Sequence, residues 1–197
     1  MRIAHLTDDF GVPVLGTKGA STHVRGLVQA LRAEGHDVMV LAANIGEDSD
    51  ASFPLRQVPF GSTLRELYDA LQGEAVCTGT RLAQDFRNLL YASSLEFQGR
   101  LMFEEFGPDL IYERHCLFST AGRALARHFE IPLVLELNAP LLVEHRKMRG
   151  LSLPLVAQAA ERIVLNGADH IVAVSQALRA YATGFGAGPD RVSVIPR

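Results

Sequence analysis

The sequence predicts an α/β domain: a doubly wound, mainly parallel Rossmann-like sheet with helices on both faces. Two observations carry this. Short, near-continuous apolar runs recur along the chain, as strands covered on both faces require. Amphipathic helical stretches separate the runs, the pattern of right-handed strand–helix–strand crossovers. At 197 residues with 48% hydrophobic content, the chain is long enough for one domain over 1–197 with a full core, which excludes intrinsic disorder.

The strands are read at 2–7, 37–42, 109–113, 132–137, 170–174 and 192–195, with a weaker one at 55–60 between Pro54 and Pro59. Helix 20–34 carries Val24, Leu27, Val28 and Leu31 as one apolar stripe, Ser21 as its candidate cap and Gly35 as its left-handed terminator. Residues 80–106 read as one long helix or a pair broken at Gly99, with Leu82, Phe86, Leu89, Leu90, Phe97 and Leu101 at helical spacing. Helices at 120–128, 153–166 and 176–183 complete the set. Leu64, Leu67, Tyr68 and Leu71 form a further helical stripe that suits core packing or a membrane surface equally. Residues 46–52 read as a polar loop.

Composition excludes several functions. A net charge of −3 offers no basic excess for a nucleic-acid backbone. No apolar run is long enough to span a membrane, and the N-terminus meets Asp8 and Asp9 too soon for a signal peptide. Cys77 and Cys116 lie outside any metal or redox spacing, so a reducing, cytoplasmic setting is expected.

Doubly wound sheets bind ligands beyond the carboxyl ends of their strands, so the loops after the strands are where chemistry is sought. The first, from Asp8 to Ser21, holds Gly11, Gly16 and Gly19 and then opens a helix, an arrangement suited to an anion. Its glycines do not space as a dinucleotide fingerprint, and Thr17-Lys18 stands where a P-loop needs Lys followed by Ser or Thr. A plain glycine-rich connector is the competing reading. In the second loop, Arg114 and His115 can face an anionic or hydroxylated ligand, against a structural Arg–Glu pair as the alternative; Cys116 lacks the partners of a nucleophile. The third sets Glu136 at a strand end before Asn138 and Pro140, then Glu144, His145, Arg146, Lys147 and Arg149, a basic patch that is a solvated face or a contact for phosphate or an anionic membrane. In the fourth, Ser175 is a helix cap. His5, His36, His128 and His170 read as structural, and no metal cluster is visible.

Taken in order, Gly11-Val12-Pro13, Gly16, Lys18-Gly19-Ala20-Ser21, His23-Val24, Tyr112-Glu113-Arg114, Leu117-Phe118-Ser119, Glu136, Asn138-Ala139-Pro140-Leu141, Ala168-Asp169 and Val172-Ala173-Val174-Ser175 resemble the N-terminal, acceptor-binding domain of family-4-type retaining glycosyltransferases of GT-B architecture. The resemblance implies transfer of a sugar from a nucleoside-diphosphate sugar to an acceptor hydroxyl, without metal or tightly bound cofactor. It implies donor contacts at Gly16, Lys18, Gly19 and Ala20, and catalytic candidates in His115, Arg114 and Glu136. Asn138, Glu144 and Arg146 are the acceptor candidates. Such an enzyme acts on a small-molecule or glycan acceptor, with the inner membrane face and self-association as further expectations. In the family, the strand that ends before Pro196-Arg197 leads on to the donor domain, so residues 1–197 are expected to be an acceptor half without competent catalysis alone. A stand-alone sugar- or nucleotide-binding module is the runner-up, and a nicotinamide-dependent dehydrogenase fails on the glycine spacing.

Overall fold

The computed structural model describes residues 1–47 and 51–196; residues 48–50 of the polar loop, and Arg197, lie outside the described residues. Among the described residues the chain runs β1 (Arg2–Thr7), α1 (Gly19–Ala33), β2 (Asp37–Ala42), β3 (Leu55–Gln57), α2 (Ser62–Gln72), α3 (Leu82–Phe106), β4 (Leu110–Arg114), α4 (Ala121–Phe129), β5 (Leu133–Leu137), α5 (Leu141–Glu144), α6 (Pro154–Gly167), β6 (His170–Ala173), α7 (Gln176–Gly184) and β7 (Val192–Val194). All the strands are parallel, in the order β3-β2-β1-β4-β5-β6-β7. The order reverses between β1 and β4, which opens a crevice at their carboxyl ends.

Side chains alternate between two cores. On β1, Ala4 and Leu6 enter the larger core with Tyr91, Leu95 and Phe103 of α3 and Leu125 of α4. Ile3 enters the other with Val38 and Val40 of β2 and Val24 and Val28 of α1. This two-sided burial is why the strands read as continuous apolar runs.

One open alternative is decided and three expectations are corrected. Helix α3 runs unbroken through Gly99, because the missing side chain is what lets α4 approach: a Cβ there would lie 2.9 Å from Leu125 Cδ1. Its buried face is Ala92, Leu95, Gly99 and Phe103, whereas Phe97 and Leu101 are exposed. The small residues define the contact, and counting only large apolar ones misplaced it. Helix α1 begins at Gly19 and Lys18 precedes it without a side-chain cap, so Ser21 lies inside the first turn, buried, and does not cap. The segment after β5 is not an open loop: α5 continues into one π-helical turn at His145–Arg149 and stops at Gly150, whose φ is +81°.

Gly35 takes its left-handed conformation after α1, and Ser175 Oγ accepts from Leu178 N at 3.3 Å as a cap of α7. The α2 stripe packs inward through Tyr68, Leu64 and Leu71, while Leu67 stays exposed. Among the described residues no helix is long and apolar enough to cross a membrane.

Candidate functional site

The glycine-rich loop forms one rim of the crevice. Val14 N and Leu15 N donate to Asn44 O and Ile45 O at 3.0 and 2.9 Å, and Gly16 N closes a turn onto Pro13 O at 2.9 Å. A Cβ on Gly16 would lie 2.6 Å from Pro13 Cγ, so this turn needs glycine. Arg25, nearly two helical turns into α1, donates through Nη1 to Val14 O and Gly16 O at 2.7 and 2.6 Å, pinning the loop to the helix. Lys18 Nζ donates to Gly11 O at 2.8 Å. The uncapped α1 N-terminus leaves first-turn N–H groups available, and a Cβ on Gly19 would meet nothing within 4 Å. Beside the loop is a cavity of about 520 Å³ lined by Pro13, Leu15, Gly16, Thr17, Asn44, Gly46 and Glu47, whose carboxylate disfavours an anion at that side. The anion-binding capacity lies at the uncapped helix start, Gly19 to Ser21.

Alternation along the strands decides which polar side chains meet. On β1 and β5, Ala4, Leu6, Leu135 and Leu137 enter the larger core, so His5 and Glu136 fall on the α1 face. Arg114 is the register partner of Glu136 on the neighbouring strand. From α1, His23 completes the group: its Nε2 lies 2.5 Å from Glu136 Oε1, and Arg114 Nη1 lies 4.0 Å from Glu136 Oε2. The Glu136 side chain is 4% exposed. Fully buried His5 stacks on Tyr112 with ring centroids 5.7 Å apart. Burial, with Arg114 and His23 adding to it against Glu136, lowers its pKa to about 4, so it stays neutral at physiological pH. The result is a carboxylate holding an arginine and a histidine at the crevice.

The opposite face carries a second buried cluster. Glu113 Oε1 accepts from Ser119 Oγ at 3.2 Å, and a Cβ on Gly122 would lie 2.0 Å from Glu113 Oε2, so α4 starts directly against this carboxyl. Phe118, just before Ser119, is buried with φ +74°, a backbone strain held by its packing. Burial raises the Asp8 carboxyl from 3.8 to about 6, opposed by the Ser119 hydrogen bond and helped by Asp9. Burial and then Asp8 push Glu113 well above the usual carboxylate range, and burial keeps the Cys116 thiol protonated. A thiolate nucleophile is therefore disfavoured here.

His115 turns to that same face. Its Nε2 pairs with Glu161 of α6, which also accepts from Tyr181 OH of α7. Burial alone would lower the His115 pKa, but the Glu161 charge and hydrogen bond override it and raise it. Its Nδ1 is buried and has no hydrogen-bond partner. So His115 and Arg114, adjacent in sequence, point to opposite sides of the sheet, and only Arg114 joins Glu136.

The acid cluster has a stability consequence. Because the folded Asp8 pKa is above its unfolded value, its contribution is fully present below about pH 4 and is lost as pH rises through about 6. Glu113 acts in the same sense, whereas Glu161, whose pKa is lowered against its own burial by His115, contributes in the opposite direction at acid pH. We expect Asp8→Asn to flatten the pH dependence of the urea midpoint between about pH 4 and 6. An unchanged slope would show that Asp8 titrates normally.

Of the acceptor-side residues, Asn138 follows β5 with both side-chain amide atoms buried and unpartnered, so it has hydrogen-bonding capacity to offer. Glu144 lies 3.6 Å from Arg149. Arg146 is exposed, while its neighbours His145 and Arg149 line a separate cavity of about 220 Å³. Among the described residues no three His, Cys, Asp or Glu side chains gather as a metal set.

Sequence reasoning missed Arg25, Asp8, Glu113 and Glu161 as parts of this architecture. For Glu161 a signal existed: it sits within the apolar positions Ala157, Ala160 and Val164 of α6, where a buried acid demands a partner.

Solved structures share this fold. Sucrose-phosphate synthase from Thermosynechococcus elongatus superposes with a TM-score of 0.68 at 15% identity, over 99% of this chain and 47% of that one. The lipopolysaccharide outer core galactosyltransferase WaaB matches at 0.63 and 13% identity, over 100% of this chain and 46% of that one. HepE from Anabaena, in complex with UDP, matches at 0.53 and 18% identity, over 100% and 44%. The chain thus spans about half the length of these proteins, one half of a GT-B architecture. No curated protein matches it in sequence. The family model described as a glycosyl transferase 4-like domain matches residues 18–197, and the chain belongs to that family.

Proposed function

We propose that this chain is the acceptor-side half of a glycosyltransferase that moves a sugar from a nucleoside-diphosphate sugar to an acceptor hydroxyl with retention. The observation that carries the proposal is the convergence of His23, Arg114 and Glu136 at the β1–β4 crevice beside the open helix N-terminus of the glycine-rich loop. In this reading the donor diphosphate lies against Gly16, Gly19 and Ala20, whose first-turn N–H groups offset its charge, while Lys18 holds the loop through Gly11 O. HepE, a protein of similar fold, is recorded with UDP-glucose, which supports this ligand class. Arg114, oriented by Glu136, supplies positive charge for the leaving diphosphate. His115, locked by Glu161 on the other face of the sheet, enters this reading as a positioning residue of the β4 loop and not as a group that touches the donor. Asn138, Glu144 and Arg146 remain the proposed acceptor contacts, of which Asn138 has the strongest support. No metal takes part in this scheme.

The test is sugar transfer by the protein carrying this domain, offered a panel of nucleoside-diphosphate sugars, with the product anomer read by NMR. Retained configuration is expected; inverted product, or donor turnover without transfer, would sink the reading. Since this chain spans 46% of the matched galactosyltransferase, residues 1–197 alone should transfer negligibly.

Gly19→Ala separates binding from folding. A methyl there meets open space and suits a helix start, so the melting temperature should hold or rise slightly. Donor binding and turnover should fall by roughly 10- to 100-fold, because the methyl stands where the diphosphate approaches. Unchanged turnover would move the donor away from this helix.

A further inference from the structure

A cavity of about 220 Å³ lies between the loops after β1 and β4 and the α3 and α5 helices, bordered by Asp9, Cys116 and Leu117 from the loops. Its charge is unlike that of the chain as a whole, whose net charge is −3: Arg81, Arg87 and Arg149 all line it. Neither Arg81 nor Arg87 has a carboxylate partner among the described residues. The Arg87 guanidinium lies 4.3 Å above the Phe10 ring and donates to Asn88 Oδ1 at 3.1 Å, so it is held in place without being neutralised. The Arg81 stem packs against Gly150, and its Nε is buried without a hydrogen-bond partner. Arg149 is only 3.6 Å from Glu144 and half-exposed, and Asp85 spends one carboxyl oxygen on Ser152 N and Leu153 N at 2.6 and 3.2 Å. Among the described residues, the one acid lining the cavity is Asp9, whose Oδ1 accepts from Gly11 N at 2.7 Å. His145 records the resulting field: burial, then Arg149 and Arg81, lower its pKa against Asp85 and Asp9.

We propose that this cavity holds the phosphate of a phosphorylated acceptor. Arginines from α3 and its cap and from the π-helical turn line one small cavity, and planar guanidinium groups suit phosphate oxygens. The volume is below the ~300–1,000 Å³ of a complete ligand site, so it fits an anionic head group and leaves the rest of the acceptor outside. Leu117 and Leu141 form the apolar part of its wall. The cavity shares the β1 and β4 loops with the crevice, which puts an anchored acceptor at the same carboxyl end of the sheet. The assignment of the anion as an acceptor rests on the glycosyltransferase reading; the anion site itself does not.

The probe is inorganic phosphate, titrated into residues 1–197 at constant ionic strength and followed by amide chemical shifts, with a nucleoside-diphosphate sugar titrated separately. Saturable shifts at Gly11, Cys116, Leu117 and Arg149 are expected. Arg81→Gln and Arg149→Gln should each weaken phosphate about tenfold or more while keeping a folded spectrum. Phosphate shifts confined to residues 16–22, or wild-type affinity in both variants, would overturn the proposal and leave the donor reading standing. Phosphate bound at this cavity, with no response to any nucleoside-diphosphate sugar, would instead sink the donor reading. Vesicles of phosphatidylglycerol separate the two sources of such an acceptor. Co-sedimentation that phosphate competes away, and that Arg81→Gln loses, assigns a membrane-borne phosphate; arginine-dependent phosphate binding without co-sedimentation assigns a soluble phosphorylated acceptor.

Discussion

Glu136→Gln should lower kcat for sugar transfer by roughly 10- to 100-fold in the protein carrying this domain, with the acceptor KM changed only a few-fold. The carboxylate sits 2.5 Å from His23 Nε2 and 4.0 Å from Arg114 Nη1, with its side chain 4% exposed. Glutamine keeps the shape but offers a single acceptor oxygen, and its amide N–H group is turned toward one of the two donors. Each lost hydrogen bond to a charged group is worth about 1.5–3 kcal/mol, which converts to that range of rates if the pair is held for the transition state. The same change should cost stability of a similar order, so kcat must be referred to folded enzyme. A merely structural role predicts less folded protein with normal kcat per molecule. The positioning role predicts lowered kcat in protein whose spectrum is native.

Gly122→Ala is the largest expected loss of stability. A Cβ there would lie 2.0 Å from Glu113 Oε2 and 2.7 Å from its Cδ. The carboxyl has nowhere to retreat: Glu113 is 1% exposed, Ser119 Oγ donates to it, and Asp8 lies near enough to raise its pKa. Either α4 shifts off the sheet or the carboxyl loses its hydrogen bonds in a buried site. Overpacking of this kind costs about 1–3 kcal/mol, with a stranded buried polar group adding about as much again. At roughly 2–4 °C per kcal/mol for a chain of this size, the melting temperature should fall by roughly 4–24 °C. Gly167→Ala is the control: its Cβ would meet Arg123 Nε at 2.3 Å, but the end of a flexible arginine can swing away. Equal losses in the two variants would contradict the packing described for Glu113.

The sheet was legible because its strands are buried on both faces, as the two cores flanking β1 show. Helix α1 was legible from Val24 and Val28, which fill one core. The buried face of α3 was not, because its contact is made by Gly99 and Ala92, and smallness carries no hydrophobic signal. Residues 141–149 looked like a loop because Asn138, Pro140 and a run of basic residues dominate the pattern, while Leu142 and His145 supply the buried side of a short helix. In the site, Glu136 was legible from its place at a strand end. Its pairing with Arg114 follows from parallel register, which the sequence does not display. The turn of His115 toward Glu161 needed the period-two alternation of β4 to be followed one residue past the strand, where Glu113 and His115 are buried together. Arg25 escaped notice because its partners are backbone carbonyls, which no side-chain pattern reveals.

In the proposed function, donor diphosphate and reacting groups meet at the β1–β4 crevice. This meeting is tested most directly by titrating nucleoside-diphosphate sugars, UDP-glucose first, into residues 1–197 and mapping the amide shifts. A cluster of shifts is expected at Gly16, Gly19, Ala20 and Thr22 with a weaker response at Arg114 and Asn138, all lost in Gly19→Ala. Shifts centred instead on the cavity at the opposite end of the sheet, around Arg2, Asp37, Met39 and Phe106, would contradict it.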